Sequence, residues 1–180
     1  MRIIGGTCRG RPLKTPKNQD IRPTSDKVRQ AIFNALFSRG AVAGAHVLDG
    51  FCGTGALGLE ALSQGAGSAL FCDISRTSLS LAQENATALG VLDYAEFKQM
   101  DVTKISKPLE GKKVDLVFLD PPYNKELIVP CVRALREFGW LNEKAWLVLE
   151  SEKGWVCPPD MGEQDFEKQY GETIVRLLSV

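Results

Sequence analysis

A single histidine, His46, stands in the 180 residues, and the five cysteines Cys8, Cys52, Cys72, Cys131 and Cys157 are scattered with no Cys-x-x-Cys pair. Zinc sites and disulfide frameworks need these residues in close, repeated spacing, so neither a metal nor a disulfide is expected. No apolar run reaches the roughly 20 residues that cross a bilayer. Met1-Arg-Ile-Ile-Gly-Gly is also not followed by the hydrophobic region of a signal peptide. A cytoplasmic protein with no membrane contact is the expectation. Internal repeats and low-complexity stretches are missing too, and the length suits one substantial core with a small appendage better than two full domains.

Net charge is absent overall but not locally. Residues 1–39 hold nine Lys or Arg (Arg2, Arg9, Arg11, Lys14, Lys17, Arg22, Lys27, Arg29, Arg39) against Asp20 and Asp26, a net of +7, so the remainder is net −7. A basic segment on an acidic body suits a polyanion, because neutralised phosphates release counterions. A solvated terminal arm is the other reading of the same charges. Arg2-Ile-Ile-Gly-Gly and Arg9-Gly-Arg11-Pro-Leu-Lys14 read as a short hairpin or extended arm over residues 1–20, with too little apolar material to fold alone. Residues 21–180 form the main domain. Thr24 or Ser25 caps a helix running to about Arg39, with Val28, Ala31, Ile32, Ala35 and Leu36 at helical spacing.

From Ala45 onward, apolar strands alternate with helical patterns, which specifies a parallel sheet covered on both faces. Strands are expected near 46–49, 68–73, 95–100, 114–120 and 145–150, and helices near 55–64, 76–89 and 127–138. Phe166–Tyr170 and Thr173–Val180 then form an antiparallel hairpin about Gly171-Glu172. The fold class is α/β: a Rossmann-like, doubly wound, seven-stranded sheet, mostly parallel, with an antiparallel C-terminal hairpin strand and a short N-terminal hairpin arm.

Two stretches carry the chemistry. Val47-Leu-Asp-Gly-Phe-Cys-Gly-Thr-Gly-Ala-Leu-Gly58 reads as strand, tight turn and helix, with glycines that admit close backbone approach to a ligand. Its Gly53-x-Gly55-x-x-Gly58 spacing also satisfies a dinucleotide fingerprint. Asp49, Asp73, Asp101 and Asp120 fall at the carboxyl ends of successive strands, where open α/β sheets bind ligands. Helix capping is an equal reading for each taken singly. Val114-Asp-Leu-Val-Phe-Leu-Asp120-Pro121-Pro122-Tyr123 ends a strand in acceptors. The carboxylate of Asp120 and the carbonyl of Pro121 suit the two hydrogens of a planar amino group, and Tyr123 suits stacking on a base.

These residues resemble the class I S-adenosylmethionine-dependent methyltransferases that act on planar amino nitrogens. With Arg2-Ile-Ile-Gly-Gly, Arg9-Gly-Arg11 and Arg22-Pro-Thr24-x-Asp26, the chain resembles more narrowly the bacterial small-subunit (16S) ribosomal RNA guanine-N(2)-methyltransferase family, over nearly its whole length. Two positions depart from the usual pattern: Cys52 stands where a small alanine is common, and Asp73 where many members carry glutamate.

The resemblance implies the cofactor S-adenosyl-L-methionine, held by Thr24, Asp49, Phe51, Gly53, Gly55, Asp73, Ile74, Asp101, Val102 and Asp120. Asp49 would take the methionine ammonium, Asp73 the ribose hydroxyls, Asp101 the adenine amino group and the Val102 amide a ring nitrogen. Asp120, Pro121, Pro122 and Tyr123 would form the catalytic motif. Arg2, Arg9, Arg11, Lys14 and Arg22 would meet RNA, in an assembled or partly assembled 30S-type subunit, and a monomer is expected. Alternatives remain: an amine-directed methyltransferase acting on DNA or RNA adenine or on protein glutamine, an NAD-dependent dehydrogenase, and a non-catalytic RNA-binding or assembly module. Asp49 beside a pyrophosphate and the lack of room for a second substrate domain weigh against the dehydrogenase.

Overall fold

The computed structural model describes residues 1–16, 25–108, 112–123 and 125–180. Its elements in chain order are α1 (Asp26–Phe37), β1 (His46–Asp49), α2 (Ala56–Ser63), β2 (Ser68–Asp73), α3 (Arg76–Leu89), β3 (Ala95–Gln99), β4 (Val114–Leu119), α4 (Ile128–Glu137), β5 (Leu141–Glu152), β6 (Glu163–Tyr170) and β7 (Thr173–Ser179). The seven strands form one sheet in the order β3-β2-β1-β4-β5-β7-β6. β7 runs antiparallel to both β5 and β6, while the other pairings are parallel. The expected fold class is the one observed.

Alternation along each strand explains the two layers. In β4, Leu116 and Phe118 join the core under α1, α2 and α3, whereas Val117 and Leu119 join the core under α4. Successive side chains point to opposite faces, so an unbroken apolar strand such as Val-Phe-Leu must be covered on both. Ser25 caps α1 by accepting from the Val28 amide, and Ser75 caps α3 by accepting from the Ser78 amide. The order reverses direction between β1 and β4, and the crevice at that switch point opens over the carboxyl ends of both strands.

Two strands are longer than their apolar pattern. β5 begins at Leu141, four residues before the expected start, through the polar run Asn142-Glu143-Lys144. Asp115 holds this extension by accepting from Asn142 Nδ2 at 2.7 Å, and the strand register shifts there, with Lys144 at φ 66°. β6 begins at Glu163, because Glu-Gln-Asp precedes the apolar Phe166 on an edge strand whose outer face is charged.

The N-terminal arm is docked rather than free. An isolated bridge pairs Arg2 with Pro12, and Ile3, Cys8 and Leu13 are buried in the core beneath α1, α2 and α3. The boundary expected at residues 20/21 lies outside the described residues. Arg29 and Glu60, each 0% exposed, hold the arm in place: Arg29 Nε stands 3.5 Å from Glu60 Oε2. The Glu60 carboxylate also accepts from the amides of Ile4 (2.9 Å) and Gly5 (2.8 Å), and Arg29 donates to the Arg2 carbonyl and to Asp26. Arg29 is therefore neutralised inside the protein and adds nothing to a basic outer face.

Glu60→Ala would leave the buried guanidinium with the half-exposed Asp26 as its remaining charged partner among the described residues and two amides without theirs, at a cost of about 3 kcal/mol in urea unfolding. The double replacement Arg29→Met with Glu60→Met should cost less than either single change. A loss under about 1 kcal/mol for Glu60→Ala would show that the arm is held elsewhere.

Candidate active site

Asp49 ends β1 and is 3% exposed. Its Oδ2 accepts the Gly58 amide of α2 at 2.9 Å, which ties the strand to the helix across the glycine turn. Burial pushes its carboxyl up to about 7, against the lowering effect of the Gly58 amide and with the help of the Asp120 and Asp73 charges. A carboxylate so placed is stabilised by an incoming cation. The glycines of the turn serve different needs. Gly53 has φ 51° with open space where a Cβ would stand, whereas a Cβ on Gly58 would lie 2.4 Å from the Phe71 ring. The first leaves the turn open to a ligand. The second lets α2 pack on β2.

Asp73 ends β2 and grips the same turn from the other side. Its Oδ2 accepts the Gly53 amide at 3.0 Å, and its Oδ1 the Ser75 amide at 2.8 Å. Asp101 follows β3 and caps a short 3-10 turn, Val102–Lys104, through the Thr103 amide (3.0 Å) and hydroxyl (2.6 Å). The Thr103 hydroxyl, more than any other group, holds the Asp101 carboxyl below its ordinary range. Each of the two carboxylates is oriented by local donors at or just past the end of its strand, as the capping reading expects. Between them Ile74 is 71% exposed, an apolar plate whose carbonyl accepts from Gln99 Nε2 at 3.0 Å. Val102 is buried and Phe51 half-buried beside it in the α4-side core.

Asp120 follows β4, the neighbour of β1, with Pro121 buried, Pro122 exposed and Tyr123 half-buried. Tyr123 shares a hydrogen bond between its hydroxyl and that of Thr173, at the start of β7. Burial raises the thiols of Cys72 and Cys131 to about 12 and carries that of Cys52, in the glycine turn, higher still. These three are not nucleophiles at neutral pH. Among the described residues, no group of three or more His, Cys, Asp or Glu could hold a metal ion, and no helix is long and apolar enough to cross a membrane.

The basic candidates divide. Arg2 and Arg9 are exposed. Arg11 donates to the Leu89 carbonyl at 2.8 Å and to that of Ala88, closing the C-terminus of α3, and Lys14 pairs with Glu84 at 2.9 Å. Thr24 and Arg22 lie outside the described residues. One contributor escapes motif reading altogether. Asn85 of α3, 1% exposed, donates to the Thr54 carbonyl in the glycine turn (3.0 Å) and to the Lys14 carbonyl (3.1 Å), and accepts the Lys14 amide (2.8 Å). The signal was a polar residue on the apolar stripe Leu79, Ala82, Ala86 and Leu89.

A doubly wound sheet with a reversed penultimate strand in space, a glycine turn flanked by carboxylates and an acceptor-rich turn beside it give the chain the class I, Rossmann-like methyltransferase architecture. The chain belongs to the family described as "Conserved hypothetical protein 95", which matches residues 1–179. It is 34% identical over 180 residues to "Ribosomal RNA small subunit methyltransferase D" of Escherichia coli (strain K12), covering 98% of this chain and 88% of that one. It is 30% identical over 181 residues to "Putative rRNA methyltransferase YlbH" of Bacillus subtilis (strain 168), covering 98% and 97%. Among solved structures, "Putative methyltransferase yhhF from Escherichia coli" superposes with a TM-score of 0.87 at 34% identity, covering 99% of this chain and 97% of that one.

The raised Asp49 carboxyl has a stability consequence. Its ordinary value is 3.8 and its folded value about 7, so the folded protein without ligand holds this proton longer than the unfolded chain does. Stability from this group is full below pH 4, falls as pH rises to about 7, and stays low above. Asp49→Asn keeps an acceptor for Gly58 and removes the charge. It should stabilise the ligand-free protein at pH 8 by on the order of 1 kcal/mol or more, with a smaller gain at pH 5. Thermal unfolding at the two pH values checks this, and an equal effect at both would assign the change to packing.

Proposed function

We propose that the protein transfers a methyl group from S-adenosyl-L-methionine to the exocyclic N(2) amine of a guanine in small-subunit ribosomal RNA, within an assembled or partly assembled 30S-type subunit. The observation that carries this reading is the position of Asp120-Pro121-Pro122-Tyr123 at the switch point, beginning two residues beyond Phe118, the partner of Asp49 on the neighbouring strand. The names of the relatives in Escherichia coli and Bacillus subtilis support ribosomal RNA over DNA or protein as the source of the amine.

The residues present fit the cofactor. A sulfonium-bearing amino acid brings positive charge, and the crevice offers the buried, cation-seeking Asp49 next to a glycine with open space above it. A pyrophosphate would meet carboxylates instead. Asp73 and Asp101 present oriented acceptors for ribose hydroxyls and an adenine amino group, and exposed Ile74 between them offers a face for the adenine ring. Gly55, at φ 78°, caps α2 and holds the turn's shape, while Thr24 remains a candidate for the amino-acid end.

When bound, the cofactor supplies an electrophilic methyl group. The chain's own part is to aim the acceptor. An exocyclic guanine amine is a weak nucleophile, because its lone pair is delocalised into the ring. Asp120 and the Pro121 carbonyl accept its two hydrogens, which raises electron density on nitrogen and fixes the direction of the lone pair. Proline at 121 and 122 removes amide donors that would compete for the same acceptors. Tyr123 offers a face for the base, which must leave its stack to reach this depth. Positioning and electrostatics then carry the rate, with no covalent enzyme intermediate. Asp120 serves as acceptor during transfer, and its carboxylate takes the proton afterwards.

Labelled cofactor offered in parallel to naked small-subunit RNA and to small subunits should place label on guanine N(2), with more on the particle; label on adenine would establish the amine-directed alternative. Asp120→Ala should lower the rate by about 100-fold or more. Cofactor affinity in calorimetry should hold, because removing the Asp120 charge eases ionisation of Asp49. Loss of that affinity would make Asp120 a cofactor ligand first.

On the basic arm, Arg9→Glu should weaken RNA binding and reduce the salt slope by about 1–2. Arg11→Glu should instead lower thermal stability through the lost contacts at the end of α3. Equal salt slopes for wild type and Arg9→Glu would remove Arg9 from the RNA surface.

A further inference from the structure

The acceptor motif is anchored at its base by Pro121 and Pro122, but these set only where the Tyr123 backbone stands. A tyrosine side chain still turns about two bonds, so a ring meant to face a base needs a second point of attachment. The structure supplies one from a distant part of the chain: the Tyr123 hydroxyl shares a hydrogen bond with the hydroxyl of Thr173, fifty residues on. Thr173 is 9% exposed and opens β7, paired across the sheet with Glu152 at the end of β5 and with Tyr170 across the hairpin turn. Its backbone is therefore held on both sides. The hydroxyl it offers is a fixed point rather than a mobile partner.

We propose that Thr173 is a positioning residue for the acceptor base, holding the Tyr123 ring in the plane against which the target purine stacks. The inference rests on the guanine-acceptor reading above. Free rotation of a side chain that must be immobilised on substrate binding costs on the order of a kcal/mol, which corresponds to a rate or affinity factor of about five to ten. The C-terminal hairpin thereby acquires a role in the reaction beyond completing the sheet: it sets the tyrosine plane from β7, two strands beyond β4 in the sheet.

The experiment is a double-mutant cycle with a structural readout. Thr173→Val keeps the volume and removes the hydroxyl. It should lower kcat for guanine methylation about five- to tenfold, leave the dissociation constant of S-adenosylhomocysteine within about twofold, and leave the melting temperature near wild type. Thr173→Ser should recover most of the rate. On a Tyr123→Phe background, Thr173→Val should add no further loss. The protein's tyrosines are Tyr94, Tyr123 and Tyr170, so 3-fluorotyrosine labelling gives a resonance for each, with Tyr123 identified by Tyr123→Phe. That resonance should shift in Thr173→Val and return in Thr173→Ser.

A full rate in Thr173→Val, an additive loss on Tyr123→Phe or an unmoved Tyr123 resonance would each overturn the proposal. If wild type methylates adenine or nothing at all, the guanine reading fails. The fluorine resonance, which needs no substrate, still decides whether Thr173 holds the ring.

Discussion

The carboxylate of Glu60 is the point on which the site's geometry depends. It is enclosed with Arg29 and takes the amides of Ile4 and Gly5, so one side chain on α2 joins the first helix and the N-terminal arm to the helix that follows the glycine turn. The guanidinium is paired by charge rather than fully hydrogen-bonded: Nη2 donates to the Arg2 carbonyl and to Asp26, while Nε and Nη1 have no hydrogen-bond partner among the described residues, so the enclosed charge leans on the Glu60 carboxylate beside it. Two residues earlier on the same helix, Gly58 donates to Asp49. α2 has eight residues, and within them the Gly58 amide is tied to Asp49 and the Glu60 carboxylate to Arg29 and the arm. The glycine turn in front of it has little freedom to drift.

That rigidity makes sense of the carboxylates around the turn. Asp49 sits where its charge is disfavoured, and Asp120 and Asp73 worsen its position. Local donors fix the carboxylates of Asp73 and Asp101 at the carboxyl ends of β2 and β3. Binding groups held in advance by a supporting shell lose less entropy when the ligand arrives. The ligand-free fold is less stable for it, a common condition of sites prepared for a charge that comes with the ligand.

The sheet and most helices were legible because their signals are local. β1, β2 and α3 occupy 46–49, 68–73 and 76–89, the ranges their apolar runs and serine cap specify. The polar starts of β5 and β6 were not legible, since Asn142 to Lys144 and Glu163 to Asp165 join the sheet through partners elsewhere in the chain. Charge counting overstated the basic face for the same reason. Arg29 is enclosed with Glu60, while exposed Arg11 is tied to carbonyls at the end of α3 and exposed Lys14 faces Glu84, pairings 31, 78 and 70 residues apart in sequence. Asn85 and Thr173 carry no motif, and their contacts arise only when α3 meets the arm and β7 meets the Asp120 turn.

The reversed strand has its own consequence for the crevice. Parallel strands deliver only their carboxyl ends to the ligand side, so β1 to β5 contribute residues at or after their last positions. β7 runs the other way and delivers its first residue, Thr173, to that same side. The tight turn at Gly171 that makes β7 antiparallel to β6 is therefore what brings a hydroxyl to Tyr123. Changes in that turn would act on the Asp120–Tyr123 side of the crevice through Thr173, while the carboxylates of β1 and β2 are held by their own local donors. The glycine turn with its carboxylates and the Asp120–Tyr123 turn are built by different parts of the chain, and β1 and β4, paired side by side, are where they meet.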